Sequence, residues 1–510
     1  MENPNRDLKT DYLTGAPSLR GFYRHSFFPV PSYEEVVKER SAHGVDRELL
    51  VSALKRQNHF LPDRDRVWSN IESLSQNHVF TVTTGHQLGL LGGPLYTVYK
   101  IATTIRLAEK IQASCPGIKV VPVFWMASED HDLAEANHCF LDADSKYVYP
   151  AKFLGPVGRH VFQKEIEQTL GVKVPDSIRQ FYLEGRTWAE AHRRLLHHLF
   201  GHHGLVLVDP DDESLKSAFL PWMIRELEGN GLAGPVEETN SILLTQGYNP
   251  VAQHRAVNLF FMGHGGRSGF VAKDGRISVP DAGIDLSMAE VGDFAKINPT
   301  HLSPNVLMRP LFQEAVLPNL AYVGGWAEIG YWMQLKTAFE HAKLPFPLLV
   351  PRMHGTLLTP DTQEGIQSLG LSPEDFKKPL GQLQDEFLRR FWDEKPVLDA
   401  MEGVRDSYAR LAGLLQDLDP TLAVSAQSES AKAEGHLENL LKKLKKSMRN
   451  RHPKQFTLLL RIKGLLFPER EIQERLLNIT AFGPDYASLI DQILAHCDPE
   501  KPMNQWIPLS

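Results

Sequence analysis

The sequence predicts an α/β fold built on an open parallel sheet, with a long helical arm in its C-terminal third. Three stretches carry that prediction. Val79 to Thr84 is a run of β-branched and aromatic residues, and Lys119 to Met126 is a nearly continuous apolar run. Between them Val98, Ile101, Ala102, Ile105 and Ala108 recur at the three-and-four spacing of one helix face. Strand, helix, strand implies a parallel pair with a right-handed crossover, and a strand apolar on both sides belongs in a sheet covered on both faces. Beyond Ser372 the pattern changes. Leu411, Leu414, Leu415 and Leu418, then Leu437, Leu440, Leu441 and Leu444, stand three and four apart on either side of Asp419-Pro420, which fits an antiparallel helical pair or coiled coil.

A chain of 510 residues exceeds what one core normally organises, so two or three domains, or a core with large insertions, are expected. A net charge of -7 offers no basic field for nucleic acid. Cys115, Cys139 and Cys497 are too few and too scattered for a disulfide framework or a thiolate metal cage. The first residues lack the basic-then-apolar order of a signal peptide and no run approaches bilayer length, so a cytoplasmic protein without membrane contact is expected.

In chain order, residues 1 to about 75 read as mainly helical. After the strand, helix, strand unit, residues 150 to 204 read as mixed and mostly helical, ending in His197, His198, His202 and His203. These read as partners of a helix end rather than metal ligands, for want of Cys or acidic ligands nearby. Leu205 to Val208 reads as another core strand. From Val257 to Val279 short strands follow, and Asp274-Gly275 signals a hairpin. The core returns near Arg309, with a strand at Leu320 to Val323, a turn at Gly324-Gly325, a helix over Glu328 to Ala342 and a last strand at Phe346 to Val350.

Two clusters carry candidate chemistry. Gly85, Gly89, Gly92 and Gly93, with His86 and Gln87, lie between the first strand and its helix. There, close backbone approach and a helix start favour a phosphate or carboxylate, although the spacing is neither named nucleotide fingerprint. The second apolar strand runs into Glu129, Asp130, His131 and Asp132, then Glu135, Asn137 and His138. Ligands of open α/β sheets bind beyond the carboxyl ends of strands, so both clusters should face one crevice. Asp130, His131 and Asp132 are candidates to orient an amine, accept its proton or hold Mg2+. Lys100 and Arg352 are candidates for charge neutralisation, with Lys100 alternatively snorkelling from an apolar face. Glu328 reads equally as a helix cap.

With these motifs assembled, the sequence resembles the cysteine ligases of bacillithiol biosynthesis over essentially its whole length. The resemblance is carried by Thr84-Gly85-His86-Gln87 through Gly92-Gly93-Pro94-Leu95-Tyr96 and Lys100, by Pro122-Val123-Phe124-Trp125, and by Glu129-Asp130-His131-Asp132 with Asn137-His138. Arg309-Pro310, Ala321-Tyr322-Val323-Gly324-Gly325, Glu328, Tyr331-Trp332 and Pro351-Arg352 extend it. The sequence departs from that pattern at His86, Glu314, Trp326-Ala327 and His354, and Trp326 is expected to narrow the pocket.

The resemblance implies a Rossmann-like core with two connecting insertions and an antiparallel coiled-coil arm that pairs two subunits. The divisions expected are 1–150, the lead-in and first half of the core; 151–305, its continuation with the insertions; 306–371, the return of the core; 372–464, the arm; and 465–510, a segment packing on the core. It implies a ligase adding cysteine to glucosaminyl malate, with ATP or another nucleotide and Mg2+ activating the cysteine carboxylate; it assigns no residue as a resident metal ligand and leaves open whether a metal is bound. Catalysis is expected of His86, Asp130, His131 and Asp132. Substrate or nucleotide binding is expected of Gly85, Gln87, Gly92, Gly93, Lys100, Glu129, Asn137, His138, Arg309, Gly324, Gly325, Glu328, Tyr331 and Arg352. A nucleotide-sugar or sugar-acid transferase using the same crevice, and a non-catalytic ligand-binding dimer, remain alternatives.

Overall fold

The computed structural model describes residues 6–62, 65–142, 145–150, 152–171, 174–263, 266–502 and 504–510. It divides into two compact units, Met1–Thr356 with Glu474–Ile507, and Leu357–Gln473 with Pro508–Ser510.

The first unit is organised by a five-stranded sheet: β1 (Val79–His86), β2 (Lys119–Met126), β3 (Val206–Val208), β4 (Asn319–Gly324) and β5 (Leu348–Pro351), in the order β5-β4-β1-β2-β3. Every pairing is parallel, as the apolar runs require, and Gly85 lies opposite Trp125. Helix α1 (Leu95–Ser114) joins β1 to β2, α2 (Trp188–Phe200) and α3 (Glu213–Leu227) flank β3 in the chain, and α1 buries Val98, Ile101, Ile105, Leu107 and Ile111. Each such side chain contributes roughly 1.5–3 kcal/mol. The chain leaves β1 towards β2 on one side and later returns to β4 on the other. That reversal puts a crevice at the carboxyl ends of β1 and β4.

The N-terminal helices Leu8–Leu13, Tyr33–Ser41, Arg47–Asn58 and Asp65–Ser73 pack on this core; Tyr12 donates to the carbonyl of Leu349 in β5 at 2.6 Å. The hairpin forms where expected, with Asp274 at φ +50° and Gly275 at φ +72°, the two left-handed residues of a type I′ turn. The single helix expected over Glu328 to Ala342 is instead two, α4 (Trp326–Met333) and a second over Lys336–Ala342. The break has a tertiary cause. Buried Gln334 accepts from the amides of Val251 and Ala252 and donates to Asn240 and to the Ala252 carbonyl, bonds that sequence periodicity does not register.

The second unit is helical. α5 (Lys395–Leu418) and α6 (Pro420–Asn450) meet at Asp419, whose carboxylate caps α6 through the Thr421 amide. An ion pair between Arg405 and Glu434, which stand at similar distances from that turn, fixes the antiparallel alignment. α5 buries no residue, and Leu411, Leu414, Leu418 and Leu440 are exposed. Among the described residues no helix is long and apolar enough to cross a membrane.

Candidate active site

The carboxyl ends of the strands open into a cavity of about 690 Å3. β1 brings Gly85 and His86 to it, β2 leads into Glu129 and Asp130, β3 into Pro210, β4 into Gly325 and β5 into Arg352. The glycine at position 85 has a steric reason: a Cβ there would sit 3.0 Å from the carbonyl oxygen and 3.2 Å from the Cβ of Trp125.

Lys100 interrupts the apolar face of α1 and is buried rather than snorkelling. Its ammonium donates to the Gly85 carbonyl at 3.0 Å and pairs with Glu328 at 2.5 Å. Glu328 also accepts from Tyr322 at 2.6 Å and from the Gly325 amide at 2.8 Å, so it caps α4 and neutralises Lys100 at once. Burial alone would raise its carboxyl, but Lys100 and these donors override it and hold it at about 2. Burial works the other way on Lys100, lowering its ammonium against the pull of Glu328. Arg309 donates to Tyr331 at 2.7 Å, and Arg352 pairs with buried Glu474 at 2.8 Å, which also takes His354 at 2.8 Å.

Burial, with the Lys100 ammonium nearby, pushes the His86 imidazole down to about 3, so the ring is neutral at pH 7 and lies 3.0 Å from the Tyr96 hydroxyl. Asp130 lines the cavity and accepts from Gln87 at 2.7 Å and from the amides of His131 and Asp132. Buried Glu129 pairs with Lys216 at 2.7 Å; Lys216 lies on the helix Glu213–Leu227 and also holds Asp211. Burial raises the Glu129 carboxyl while Lys216 opposes it.

Several expected site residues do other work. Gly92 lies at φ +87° against Leu195, away from the cavity walls, and so serves the turn. The start of α1 is no open anion cradle either: the Leu95 amide already donates to the Leu477 carbonyl, and the Asn478 carboxamide donates to the Leu91 and Gly93 carbonyls. Asp132 caps the short helix Leu133–Ala136 through the Glu135 amide, and Asn137 closes that helix. His131 stands at the rim, its side chain 49% exposed and 3.4 Å from Arg267. Gly324 lies one residue behind the wall, its carbonyl accepting from the Arg352 amide. Gly93 and His138 belong to a smaller adjoining cavity. Trp326 lines the large one, as its bulk implied.

Arg255, Arg267 and Arg475 line the large cavity, with Tyr96 and Phe260, and none was among the candidates. Arg255 and Arg267 both lie over the Phe260 ring, at 5.1 and 4.2 Å from its centroid. Tyr96 lies within the Gly92-Gly93-Pro94-Leu95-Tyr96 motif; Arg255 and Arg475 belong to no motif, and Arg267 lies in a short strand that carries no site signal.

The donor set fits a phosphate chain, since guanidinium groups match its oxygens bidentately. It does not fit a protein-held Mg2+: Glu129 is taken by Lys216, Glu328 by Lys100, and both Asp130 oxygens accept hydrogen bonds. Among the described residues, the grouping with metal-ligand spacing is His202, His203 and Asp491, which lies outside the cavity.

An open parallel sheet with a charged cavity at its topological switch point defines a Rossmann-like protein with a small-molecule site. Residues 2–353 match the family described as "Bacillithiol biosynthesis BshC, N-terminal Rossmann-like domain", and residues 355–508 match its "C-terminal coiled-coil domain". The chain therefore belongs to the BshC family of bacillithiol biosynthesis. It is similar to proteins named "Putative cysteine ligase BshC" from several bacteria. The one from Cytophaga hutchinsonii is 32% identical, over 96% of this chain and 94% of that one. That from Flavobacterium johnsoniae is 31% identical over 93% and 92%, and that from Bacillus mycoides 27% identical over 96% of each.

Proposed function

We propose that this protein is a ligase that joins cysteine to glucosaminyl malate through an amide bond, with a nucleoside triphosphate activating the cysteine carboxylate. The observation that carries this reading is the charge of the large cavity. Arg255, Arg267, Arg309, Arg352, Arg475 and Lys100 face Glu129, Asp130 and Glu328, six cations against three anions. A sugar dicarboxylate and a phosphate chain need such a surplus. The name given to relatives in the same family supports the choice of cysteine.

An ionised carboxylate is a poor electrophile; a nucleoside triphosphate would supply the activating group, and the C–O bond to that group breaks as the C–N bond forms, the group leaving as phosphate or AMP. The chain's own residues do the rest. Arg255 and Arg475, whose guanidinium groups have no hydrogen-bond or ion-pair partner among the described residues, hold the anionic ends, and Lys100, fixed by Glu328, places positive charge where oxyanion charge develops. The acceptor amine arrives as an ammonium and must shed a proton before its nitrogen forms the new C–N bond; Asp130, on the cavity wall, takes that proton. Neutral His86 orients the reactants through hydrogen bonds rather than charge.

The test mixes purified protein with ATP, Mg2+, cysteine and glucosaminyl malate and follows thiol product by mass, with phosphate and pyrophosphate. The expected result is product and nucleotide cleavage only when both cysteine and acceptor are present. A transferase would ignore cysteine, a sensor would bind without turnover, and product without nucleotide cleavage would refute activation. The exposed leucines of α5 further support a homodimer through the arm. Sedimentation should give a dimer for the intact chain and a monomer for Leu411→Glu with Leu418→Glu.

A further inference from the structure

The large cavity has a small neighbour. A second cavity of about 210 Å3 shares His86, Gln87, Tyr96 and Arg475 with the first. Glu135 and Cys139 line only the smaller one. Its volume is below the roughly 300 Å3 at which pockets for drug-sized ligands begin, so it suits one small amino acid and excludes a glycosyl dicarboxylate or a nucleotide.

Its charges are arranged for a zwitterion. Among the described residues the Arg475 guanidinium makes no hydrogen bond or ion pair, and it stands on the wall that both cavities share. Glu135 lines the same small cavity without pairing to Arg475. Glu135 takes a hydrogen bond from Gln87 but, among the described residues, has no cation paired with it, so the free guanidinium and this carboxylate can each meet the opposite end of one amino acid. Cys139, on the lining of the same cavity, is buried, and burial pushes its thiol up to about 12, so it presents no thiolate to a second sulfur.

We propose that the smaller cavity is the cysteine subsite, with Glu135 receiving the α-ammonium and Arg475 the α-carboxylate. This rests on the ligase reading above and adds a location to it. Because Arg475 belongs to both cavities, the carboxylate faces the larger one, where the acceptor amine arrives. The small cavity keeps the amino and thiol groups away from that amine.

Calorimetric titration of the intact protein, with and without glucosaminyl malate, tests the assignment by deleting groups from both sides. The ligands are L-cysteine, cysteamine, which lacks the carboxylate, and 3-mercaptopropionate, which lacks the amine. Arg475→Gln should weaken L-cysteine roughly tenfold and leave cysteamine unchanged, while Glu135→Gln should weaken L-cysteine roughly tenfold and leave 3-mercaptopropionate unchanged. If the wild type binds L-cysteine and both variants bind it equally well, the subsite assignment is overturned and the ligase reading stands. Equal weakening of all three ligands by either variant overturns the pairing of residue to group. If the wild type binds L-cysteine under neither condition, the ligase reading fails and takes the subsite with it.

Discussion

Two sides of the large cavity are built on opposite principles. Along β1, β4 and β5 each charge already has its partner: Lys100 with Glu328, Arg309 with Tyr331, Arg352 with Glu474. Among the described residues, the guanidinium groups of Arg255 and Arg475 have no hydrogen-bond or ion-pair partner. The difference separates shape from affinity. Saturated pairs gain little from a ligand and fix the floor on which it lies, whereas the free cations find partners only when an anion arrives. Substitutions on the first side should therefore act on stability, and those on the second on binding.

The sharpest way to break this contrast is Glu328→Gln, which leaves a buried ammonium without its counter-charge. It should cost roughly 3–5 kcal/mol of unfolding free energy by urea titration; a loss under about 1 kcal/mol would mean that Lys100 is not held as described. Acid attacks the same side more gently. Burial alone would raise both Glu328 and Glu474, yet Lys100 on the one and His354 with Arg352 on the other hold each at about 2, below the ordinary 4.5. Their stabilisation is complete above pH 4.5 and is lost as pH falls towards 2, by on the order of 2–3 kcal/mol per group. Urea midpoints measured at pH 6, 4 and 3 should fall accordingly, with the Glu328 share absent from the Gln variant.

Glu314, also buried in the first unit, should show the opposite sign. Burial raises its carboxyl to about 7 despite Arg40 and the amides of Gln313 and Asn319, so its contribution declines as pH rises from 4.5 to 7. Glu314→Gln should gain roughly 1–2 kcal/mol at pH 8 and flatten that slope. On the free side, Arg255→Ala should leave stability within about 0.5 kcal/mol and raise the KM for glucosaminyl malate roughly tenfold in steady-state assays. The smallest effect belongs to Asp132→Asn: asparagine caps a helix as well as aspartate, so turnover should stay within about twofold.

What was legible in the sequence follows from range. β1, β2, the Asp274-Gly275 hairpin and the leucine-patterned pair declare themselves within a few turns of chain, because each is fixed by local period or turn chemistry. Gly85, His86, Lys100, Asp130 and Arg352 sit at strand ends or within local motifs, and the structure gathers them in one cavity. Asp132 looked the same as Asp130 in sequence; two residues decide whether a carboxylate ends on the wall or caps the helix behind it. Arg255, Arg267 and Arg475 belong to no local site motif and are brought together by tertiary folding. Gln334 broke a helix for the same reason.

The bonds from Asn478 to the Leu91 and Gly93 carbonyls have a consequence in time. They join groups 387 and 385 residues apart, and Glu474 reaches Arg352 from the same late segment. Closing so long a loop is an entropic cost that local contacts cannot offset early. As the chain leaves the ribosome, all five strands can pair before residues 474 to 478 emerge, so the sheet precedes its cavity. A nascent or C-terminally nicked chain would show native parallel-sheet spectroscopy yet lack the brace on its glycine turn. Capacity to bind ligand should therefore be the last property acquired in folding and the first lost to proteolysis near position 474.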